Sequence, residues 1–455
     1  MADLSLSAEK IIMSEEARLT TFIEGCVGGK VVSLERQPRW RKAWYCQVER
    51  DGGLVPLYIR GDKQLDAEPY PGLGREARIL QILEAHGLPV PHVYGVCQDP
   101  EAIVMDRVPG ERDVSFAASD EERRTIAFQY IDVMAKMHSL DTADFEAMGI
   151  ALPSGPEALA LAYVDANQPL FDRTRRGPEP MLEFVLKWLR RNAPQDRSEA
   201  RFIHGDAGQF LFDQGNLTCI HDFEASHIGD PLADLASLRV RNPTEPLGAD
   251  VNELLRHYQA ITGRKIDSWA LSYHTAAFMV TAVMALAGPM KDPDTPLQGE
   301  YLIWDITCKR AMLWAMAECM GVTIQRCQAP PPQGSYQDLI VRVLEQGIHR
   351  LEAASAADQR EKQSALMLLE WLKNSASFGA ELEQRDTAML EQLLGETPLQ
   401  GVDREAQLEQ FVLKSGPEQD IALLNYFAAQ IEAQVLIASS LGERLEGYAL
   451  PRVEL

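Results

Sequence analysis

The sequence lacks several features that would assign it to a specialised class of protein. Its seven cysteines are scattered and odd in number, and no two of them form a CxxC pair. We therefore expect buried, reduced thiols and a cytoplasmic location. A basic excess is also missing, because the formal net charge at pH 7 is -23. So acidic a protein is not expected to bind nucleic acid nonspecifically.

The chain also lacks a long uninterrupted apolar run. Its first residues, MADLSLSAEK, have neither the basic segment nor the apolar segment of a signal peptide. The longest apolar stretch, at 269–290, is interrupted by Ser272, Tyr273, His274 and Thr275. This pattern favours a core helix over a membrane span, so no membrane partner is expected.

What the chain does contain predicts several domains, since 455 residues exceed one compact core. Residues 28–108 follow the order strand, strand, strand, helix, strand, strand, with a hairpin turn at Asp51-Gly52-Gly53. We expect a small α+β lobe over 1–108. From Asp120 onward helical patterns dominate, so a helical lobe is expected over 109–327.

The last part of the chain predicts a third domain. QAPPPQGS, at 328–335, is typical of a stiff linker, because consecutive prolines forbid a continuing helix. Residues 336–455 show helical patterns without a strand signal. We expect an all-helical domain here that serves as a lid or as a docking module, with a homodimer through these helices as one outcome.

Two aspartates mark the segment that carries chemistry, FIHGDAGQFLFDQGNLTCIHDFE at 202–224. Phosphoryl transfer needs a carboxylate that orients the attacking hydroxyl, oxygen ligands for magnesium, and a cation on the phosphates. Asp206 and Asp222 can supply the first two of these requirements. A hairpin turning at Gly215 and Asn216 would bring both aspartates to the same end of a strand pair.

The pattern HGD…QFLFD…IHDFE…GDPLADLA resembles the aminoglycoside phosphotransferase and choline kinase family over about residues 20–320. The resemblance implies an α+β, bilobal, protein-kinase-like fold. Its small β-rich N-terminal lobe, 1–108, would bind the nucleotide, and its mostly helical C-terminal lobe, 109–327, would carry the catalytic and metal-binding loops. The helices after 336 would add an all-α domain to it. It also implies ATP and Mg²⁺ as cofactors and a hydroxyl group of a small molecule as the acceptor.

The resemblance also implies roles for individual residues. Asp206 matches the catalytic base, and Asp222 matches the metal-binding aspartate. Gln209 matches the second metal ligand, although it follows Asp206 by three positions where the family has asparagine five positions later. His204 and Asp234 are expected to support the catalytic loop.

In the N-terminal lobe, the family's strand lysine and helix glutamate match Arg60 and Glu76, which would anchor phosphates unless they form a plain surface ion pair. Lys63 competes with Arg60 for this role. The family's glycine loop is replaced by the basic segment RQPRWRKAW, which either binds phosphates or is a solvated charged turn. The further nucleotide-binding candidates come from that segment and from the expected hinge: Arg39, Arg41, Met105, Asp106, Arg107 and Val108.

The acceptor remains open at this level. Glu224 is a candidate for binding metal or substrate. Arg239 and Arg241 are candidates for binding an anionic substrate, with a surface role as the alternative. The family includes antibiotic phosphotransferases and kinases of catabolic hydroxy compounds such as hydroxyacyl-CoA esters, and the basic segment favours an anionic substrate. Two rival functions are a nucleotide-binding pseudokinase that acts as an interaction protein and an enzyme that transfers AMP to a hydroxyl.

Overall fold

The computed structural model describes residues 14–37, 41–63, 72–292, 299–331, 336–438 and 449–455. Packing divides the chain into two compact units. The first unit comprises Met1–Met137, Ala143–Ile150 and Gln209–Ser226, and the second comprises His138–Thr142, Ala151–Gly208 and His227–Leu455. The boundary therefore falls within the motif segment, between Gly208 and Gln209.

The first unit is built on a five-stranded antiparallel sheet in the order β1-β2-β3-β5-β4. The strands and the two helices that accompany them follow the predicted order. They are α1 (Glu15–Val27), β1 (Lys30–Arg36), β2 (Ala43–Arg50), β3 (Gly53–Gly61), α2 (Leu73–Ala85), β4 (Val93–Gln98) and β5 (Glu101–Asp106). Asp51 and Gly52 both have positive φ at the turn between β2 and β3, as a tight hairpin turn requires.

The two faces of this sheet have different tasks. On one face, Leu57 and Ile59 of β3 are fully buried in a core with Leu19 and Ile23 of α1. Because successive side chains of a strand point to opposite faces, Arg60 lies on the other face, the one that carries Ile103 opposite it in β5. The core of the sheet thus fixes a charged side chain in place.

The first unit is completed by two helices and a hairpin. These elements are α3 (Asp120–Met137), α4 (Ala143–Ala147), β7 (Phe210–Asp213) and β8 (Asn216–Ile220). The hairpin turns at Gln214 and Gly215, which both have positive φ, and Asn216 already pairs with Asp213. The prediction of a turn at Gly215 and Asn216 was therefore wrong by one residue, because Gln214 accepts the left-handed conformation that a glycine or asparagine was expected to take.

The second unit is mostly helical and contains one short strand pair. Strand β6 (Arg201–Ile203) pairs antiparallel with β9 (His227–Gly229). The helices are α5 (Gly155–Thr174), α6 (Pro180–Arg191), α7 (Leu232–Arg241), α8 (Val251–Thr262), α9 (Ser268–Lys291), α10 (Gly299–Met320), α11 (Tyr336–His349), α12 (Ala356–Leu394), α13 (Val402–Lys414) and α14 (Asp420–Ile437).

Helix α9 occupies the centre of the second unit. It is long and apolar enough to cross a membrane by length and composition, but 78% of its most apolar window is buried inside the protein. Tyr273 and Val280 of α9 are fully buried in the core. This packing agrees with the core helix that the interrupted apolar stretch predicted.

The helices that follow the proline-rich segment share this core. Leu424 and Phe427 of α14 lie in the same buried cluster as Met312 and Met316 of α10. Packing accordingly places 227–455 in one unit, whereas the sequence favoured a boundary at 328–335. The reason is that the apolar surface of α14 is covered by α10 and α12. Residues 332–335 of the expected linker lie outside the described residues.

The seven cysteines are all free thiols. Burial raises the pKa of Cys46 to about 11 and the pKa of Cys219 to about 12. Thiols with such values are protonated near neutral pH and therefore weakly nucleophilic. The expectation of buried thiols is confirmed for Cys46, Cys97 and Cys219, whereas the other four cysteines are half-buried.

Candidate functional site

Arg60 joins three carboxylates in the first unit. Its Nε donates to Glu76 Oε2 at 2.9 Å, and its Nη2 contacts Asp222 Oδ1 at 2.5 Å and Glu224 Oε2 at 3.1 Å. Only 13% of the Arg60 side chain and 5% of the Glu76 side chain are exposed. The pair is therefore no surface ion pair, which was one of the two readings that the sequence allowed.

Glu224 is the meeting point of three cations. Besides Arg60, Arg41 Nη2 contacts Glu224 Oε2 at 2.5 Å and Lys63 Nζ donates to Oε1 at 2.7 Å. The exposed fraction of the side chain is 8% for Arg41 and 6% for Lys63. We call Arg41, Arg60 and Lys63 the cation cluster. Since Arg41 is buried, it does not belong to a solvated turn.

The charged neighbours of Arg60 and Glu224 change the pKa values of both side chains. Burial acts to lower the pKa of Arg60, but the carboxylates of Glu76, Asp222 and Glu224 outweigh burial and raise it above its ordinary value. Arg60 is thus a permanent cation. Burial and the neighbouring Asp222 carboxylate raise the pKa of Glu224, against the opposing effect of Arg41 and Arg60.

Asp222 and Gln209 provide neighbouring oxygen-bearing groups in the first unit. Asp222 has φ 72° and ψ 56°, a left-handed conformation that is uncommon outside glycine and that clusters at functional sites. Gln209 Nε2 lies 3.3 Å from Asp222 Oδ2, and Arg112 Nη2 lies 3.4 Å from Gln209 Oε1. The amide oxygen would face Asp222 only after a half-turn that gives up both contacts, and a cation between the two oxygens would be needed to offset that loss.

A carboxylate beside an amide oxygen is a donor set that suits Mg²⁺, which takes one or two protein ligands and completes its shell with phosphate oxygens and water. Among the described residues there is no group of three or more His, Cys, Asp and Glu side chains arranged to hold a metal ion. The first unit therefore fits a metal that arrives with a phosphate ligand better than a metal caged by protein alone.

The expected hinge is the end of strand β5. Met105 is buried, and Asp106 accepts a hydrogen bond from the Tyr94 hydroxyl at 2.9 Å. The guanidinium of Arg107 lies 3.7 Å from the centre of the Tyr45 ring. The backbone N–H groups of Asp106 and Arg107 donate within the unit, to the carbonyls of His92 and Pro56. Two backbone N–H groups of the expected hinge are therefore already hydrogen-bonded within the first unit, and Val108 follows directly after them.

Asp234 supports the catalytic loop in the second unit. It is fully buried and accepts hydrogen bonds from the backbone N–H groups of His204 and Gly205, both at 2.8 Å. Its Oδ2 also lies 2.9 Å from His138 Nε2. Burial alone would raise the pKa of Asp234, but the interactions with His138 and His204 outweigh burial and lower it.

His138 is a functional neighbour that the sequence did not indicate. Its Nδ1 lies 2.8 Å from the Tyr258 hydroxyl, so the ring bridges helix α8 and the aspartate that holds the loop. His204 is also buried, and its Nδ1 lies 3.2 Å from the backbone nitrogen of Asp206. This placement orients the loop from within. A histidine at the end of a helix carries no local signal for such a bridge.

Arg241 contacts the aspartate that matches the catalytic base. Its Nη2 donates to Asp206 Oδ1, its Nε donates to the Ala207 carbonyl at 3.1 Å, and its Nη1 contacts Glu245 at 2.5 Å. Burial acts to lower the pKa of Arg241, but Asp206 and Glu245 outweigh burial and raise it above its ordinary value. Arg241 therefore carries a fixed positive charge beside Asp206.

Arg239, two residues earlier, has a different environment. It is fully buried, and it binds both oxygens of Glu318 at 2.6 and 2.7 Å and the Pro451 carbonyl at 2.7 Å. These partners fully occupy its guanidinium in the core, so Arg239 is no longer a candidate for binding substrate. Arg39, the other basic residue expected at the phosphates, lies outside the described residues.

A small cavity of about 20 Å³ lies beside the catalytic loop of the second unit. Gly205, Tyr163, His227, Asp230 and His274 are among the residues that line it. Such a volume holds about one water molecule. The cavity is therefore too small to receive an acceptor molecule.

Comparison with solved structures defines the class to which this fold belongs. A chain from Ralstonia eutropha JMP134, provisionally described as an aminoglycoside phosphotransferase, has a TM-score of 0.51 and 21% sequence identity. The match covers 66% of this chain and 95% of that chain. The predicted α+β fold is confirmed: it is the kinase-like fold of small-molecule phosphotransferases, with a β-sheet part, a helical remainder and a C-terminal helical region.

Residues 62–269, somewhat less than half of the chain, match the model of the phosphotransferase enzyme family. This confirms the resemblance carried by the HGD and DFE motifs, which both lie within the matched residues.

Curated relatives include acyl-CoA dehydrogenase family members. Member 11 of Gallus gallus is 29% identical over 173 residues, which cover 36% of this chain and 22% of that protein. Member 10 of Mus musculus is 26% identical over 308 residues, which cover 55% of this chain and 28% of that protein. The chain thus matches about a quarter of the length of these relatives.

Proposed function

We propose that this protein transfers the γ-phosphate of ATP to a hydroxyl group of a small molecule. The observation that carries the proposal is the contact of Arg60 with both Glu76 and Asp222, which joins a phosphate-binding cation to a metal-binding carboxylate within one unit. The match of residues 62–269 to the phosphotransferase enzyme family supports it.

The roles follow from the chemistry of each side chain. Asp206 accepts the proton of the attacking hydroxyl, as a carboxylate does in kinase-type phosphoryl transfer. Arg60 holds the phosphates, and Asp222 with the Gln209 amide oxygen holds Mg²⁺. When bound, the metal ion neutralises the charge that develops on the phosphate oxygens.

Arg41 adds a second phosphate-binding cation. In the family, glycine-loop amides cover the phosphates, whereas this chain has the basic segment 36–42 at the matching place. Arg41 is buried and already directed at a carboxylate, which is the geometry that an arginine uses for phosphate as well. We propose that its guanidinium replaces those amides.

For the acceptor, we propose a hydroxyacyl-CoA ester as the first class to test, ahead of an aminoglycoside-like antibiotic. The support is the name shared by the curated relatives, acyl-CoA dehydrogenase family members, together with Arg241 as a cation beside Asp206. An anionic acyl-CoA suits a cationic side chain, whereas a polycationic drug does not.

The test is a transfer assay with ATP and Mg²⁺ in which each acceptor product is weighed by mass spectrometry. Wild-type protein should add one phosphate to a hydroxyl substrate, and Asp206→Ala should lose at least about 100-fold in turnover while retaining nucleotide binding. Asp213→Asn, an exposed aspartate of the β7–β8 hairpin, is the matched control and should keep full turnover.

Other results separate the rival functions. A product that carries AMP instead of phosphate would show that the reaction is nucleotidyl transfer and not phosphate transfer. Nucleotide binding without any turnover across both acceptor classes would favour the pseudokinase. Full turnover in Asp206→Ala would contradict the assignment of the base.

A further inference from the structure

Three buried cations in the first unit converge on a single carboxylate that the proposed reaction leaves without a role. Arg41 and Arg60 contact Glu224 Oε2, and Lys63 contacts Oε1, so both oxygens of Glu224 are engaged. A phosphate group presents the same kind of oxygens to guanidinium and ammonium groups. The cation cluster is thus arranged as a receptor for an anion, and Glu224 is the anion that it holds.

The charges around this receptor balance without a ligand. The cation cluster faces three carboxylates, those of Glu76, Asp222 and Glu224. A nucleotide triphosphate would bring additional negative charge into a partly buried, self-neutralised group, which is unfavourable unless an internal carboxylate leaves or a cation arrives. Glu76 lies on α2 and is only 4% exposed, whereas Glu224 lies within the short turn Phe223–Ala225 that begins directly after Asp222, and 21% of its side chain is exposed.

The contacts of Arg60 indicate where the Glu224 side chain can move. The Nη2 group of Arg60 contacts Asp222 Oδ1 at 2.5 Å and Glu224 Oε2 at 3.1 Å, so both carboxylates reach the same nitrogen atom. Two carboxylates that can share one nitrogen atom can also share one divalent cation, which prefers such oxygen ligands. A small shift of the Glu224 side chain is therefore enough to exchange one kind of partner for the other.

We propose that Glu224 is an internal substitute for phosphate. In the ligand-free protein it occupies the cation cluster, and the arriving polyphosphate displaces it toward Asp222, where it becomes an additional oxygen ligand of the metal ion. This inference rests on the proposed function, since it takes the cation cluster as the phosphate site. It makes phosphate binding and metal binding depend on one side chain, so that each favours the other.

The test measures binding rather than activity. Inorganic tripolyphosphate is titrated by calorimetry into wild type, Glu224→Gln and Glu111→Gln, in buffer with EDTA and then with Mn²⁺. Glu111 is an exposed carboxylate of the same unit and serves as the control. Without metal, Glu224→Gln should bind tripolyphosphate at least about tenfold more tightly than wild type, because the competing charge is gone. Glu111→Gln should bind like wild type.

With Mn²⁺ present, Glu224→Gln should bind more weakly than wild type. Electron paramagnetic resonance counts free Mn²⁺, and the affinity of the tripolyphosphate complex for Mn²⁺ should fall at least about tenfold in Glu224→Gln. Tripolyphosphate affinity that is unchanged or weaker in Glu224→Gln without metal would overturn the inference and leave Glu224 as a fixed anchor for the cations. Absence of tripolyphosphate binding in every variant would overturn it as well.

A second measurement needs no substitution and covers the case in which Glu224→Gln does not fold. Hydrogen exchange of wild type with and without tripolyphosphate should show faster exchange at 223–226 and slower exchange at 60–63 in the complex. Unchanged exchange at 223–226 would contradict the displacement of Glu224.

The transfer assay distinguishes this inference from the proposed function. If the protein phosphorylates a hydroxyl with ATP but Glu224→Gln does not change the affinity for tripolyphosphate, the proposed function stands. The role of Glu224 as an internal substitute for phosphate is then rejected. The expected effects of Glu224→Gln, found in a protein that phosphorylates no hydroxyl, would retain the phosphate site and reject the transfer reaction.

Discussion

Arg241 donates a hydrogen bond from its guanidinium to the carboxylate of Asp206. The same side chain holds the Ala207 carbonyl and Glu245, so it fixes the conformation of the loop as well as the charge beside the proposed base. Under the proposed function, Arg241 would both position Asp206 and offer a cation to an anionic acceptor. Substitutions can separate these tasks.

We predict that Arg241→Lys and Arg241→Gln differ in which kinetic constant changes. Lysine retains a charge for an anionic acceptor but loses the fork that also binds the Ala207 carbonyl, so kcat should fall about tenfold with a small change in the acceptor KM. Glutamine removes the charge, so the acceptor KM should rise as well. Steady-state kinetics of both variants measure this split.

The control for Arg241 is its exposed partner. Glu245→Gln removes one contact of Arg241 without touching Asp206 and should change kcat less than twofold, an order-of-magnitude expectation for an exposed ion pair. Equal losses in all three variants would show that Arg241 acts through stability alone.

We predict that Gly208→Ala is more harmful than an ordinary glycine substitution. Gly208 has φ 104°, and a Cβ built there would lie 2.5 Å from Cδ of Arg241. Gly263 also has a positive φ, of 68°, but a Cβ there meets nothing within 4 Å. Gly263→Ala should therefore cost about 1 kcal/mol of unfolding free energy from backbone strain, and Gly208→Ala should cost more and also reduce turnover.

Urea unfolding of both glycine variants, together with the transfer assay, checks this comparison. A Gly208→Ala protein with the stability of Gly263→Ala and unchanged turnover would mean that Arg241 moves aside freely.

We predict that Asp230 makes the protein sensitive to acid. Burial acts to raise the pKa of Asp230, but His274 and Arg197 outweigh burial and hold it well below its ordinary value of 3.8. A carboxyl group whose pKa is depressed in the folded state stabilises it above the unfolded pKa, and that contribution is lost as the pH falls toward the folded value. The free energy of unfolding should therefore fall steeply below about pH 4.

The variant Asp230→Asn removes this titration. Its free energy of unfolding should be lower than that of wild type at neutral pH and should decline less between about pH 4 and pH 2. Urea unfolding across this pH range measures both slopes, with the exposed Asp213→Asn as control. Parallel slopes in wild type and Asp230→Asn would place the acid sensitivity elsewhere.

We predict that the buried ion pair between Arg310 of α10 and Glu432 of α14 attaches α14 to the core and contributes strongly to the free energy of unfolding. Arg310 Nε donates to Glu432 at 2.7 Å, Trp314 Nε1 donates to the same carboxylate at 3.0 Å, and the exposed fractions of the pair are 2% and 3%. Glu432→Gln leaves a buried guanidinium without its charge partner and should cost about 3 kcal/mol. The double variant Arg310→Met with Glu432→Leu should recover most of that loss.

A double-mutant cycle by urea unfolding gives the coupling energy of this pair. The exposed pair Lys373–Glu370 is the comparison and should contribute less than about 1 kcal/mol. A loss for Glu432→Gln no larger than that for Glu370→Gln would show that α14 is weakly attached.

The order of the elements in the first unit was predictable because it depends on local patterns. Alternating apolar residues define β2 and β3, and Asp51-Gly52 accepts the positive φ that a tight hairpin needs. The roles of Asp206, Gln209 and Asp222 were predicted from local sequence in the same way, since their residue types and spacing resemble a known family, and these roles stay predictions.

The surroundings of those residues depend on contacts between distant parts of the chain. Arg41, Arg60 and Lys63 meet Glu224 across more than 160 sequence positions, and no local pattern encodes which cation faces which carboxylate. Likewise, the left-handed Gln214 was not expected, because the energetic difference between neighbouring turn registers is small.

Arg239 and Arg241 of α7 show the same difference between what local sequence predicts and what packing decides. The sequence offered both as equal candidates, because two residues of one type in one segment look alike. In a helix they point about 200° apart, so packing buries Arg239 against Glu318 and leaves Arg241 on Asp206. The sequence by itself determined the resemblance to a known family, the order of the secondary-structure elements in the sheet of the first unit and the chemical groups at hand. The tertiary structure alone decided which groups meet, because packing of distant segments selects the face that each side chain shares.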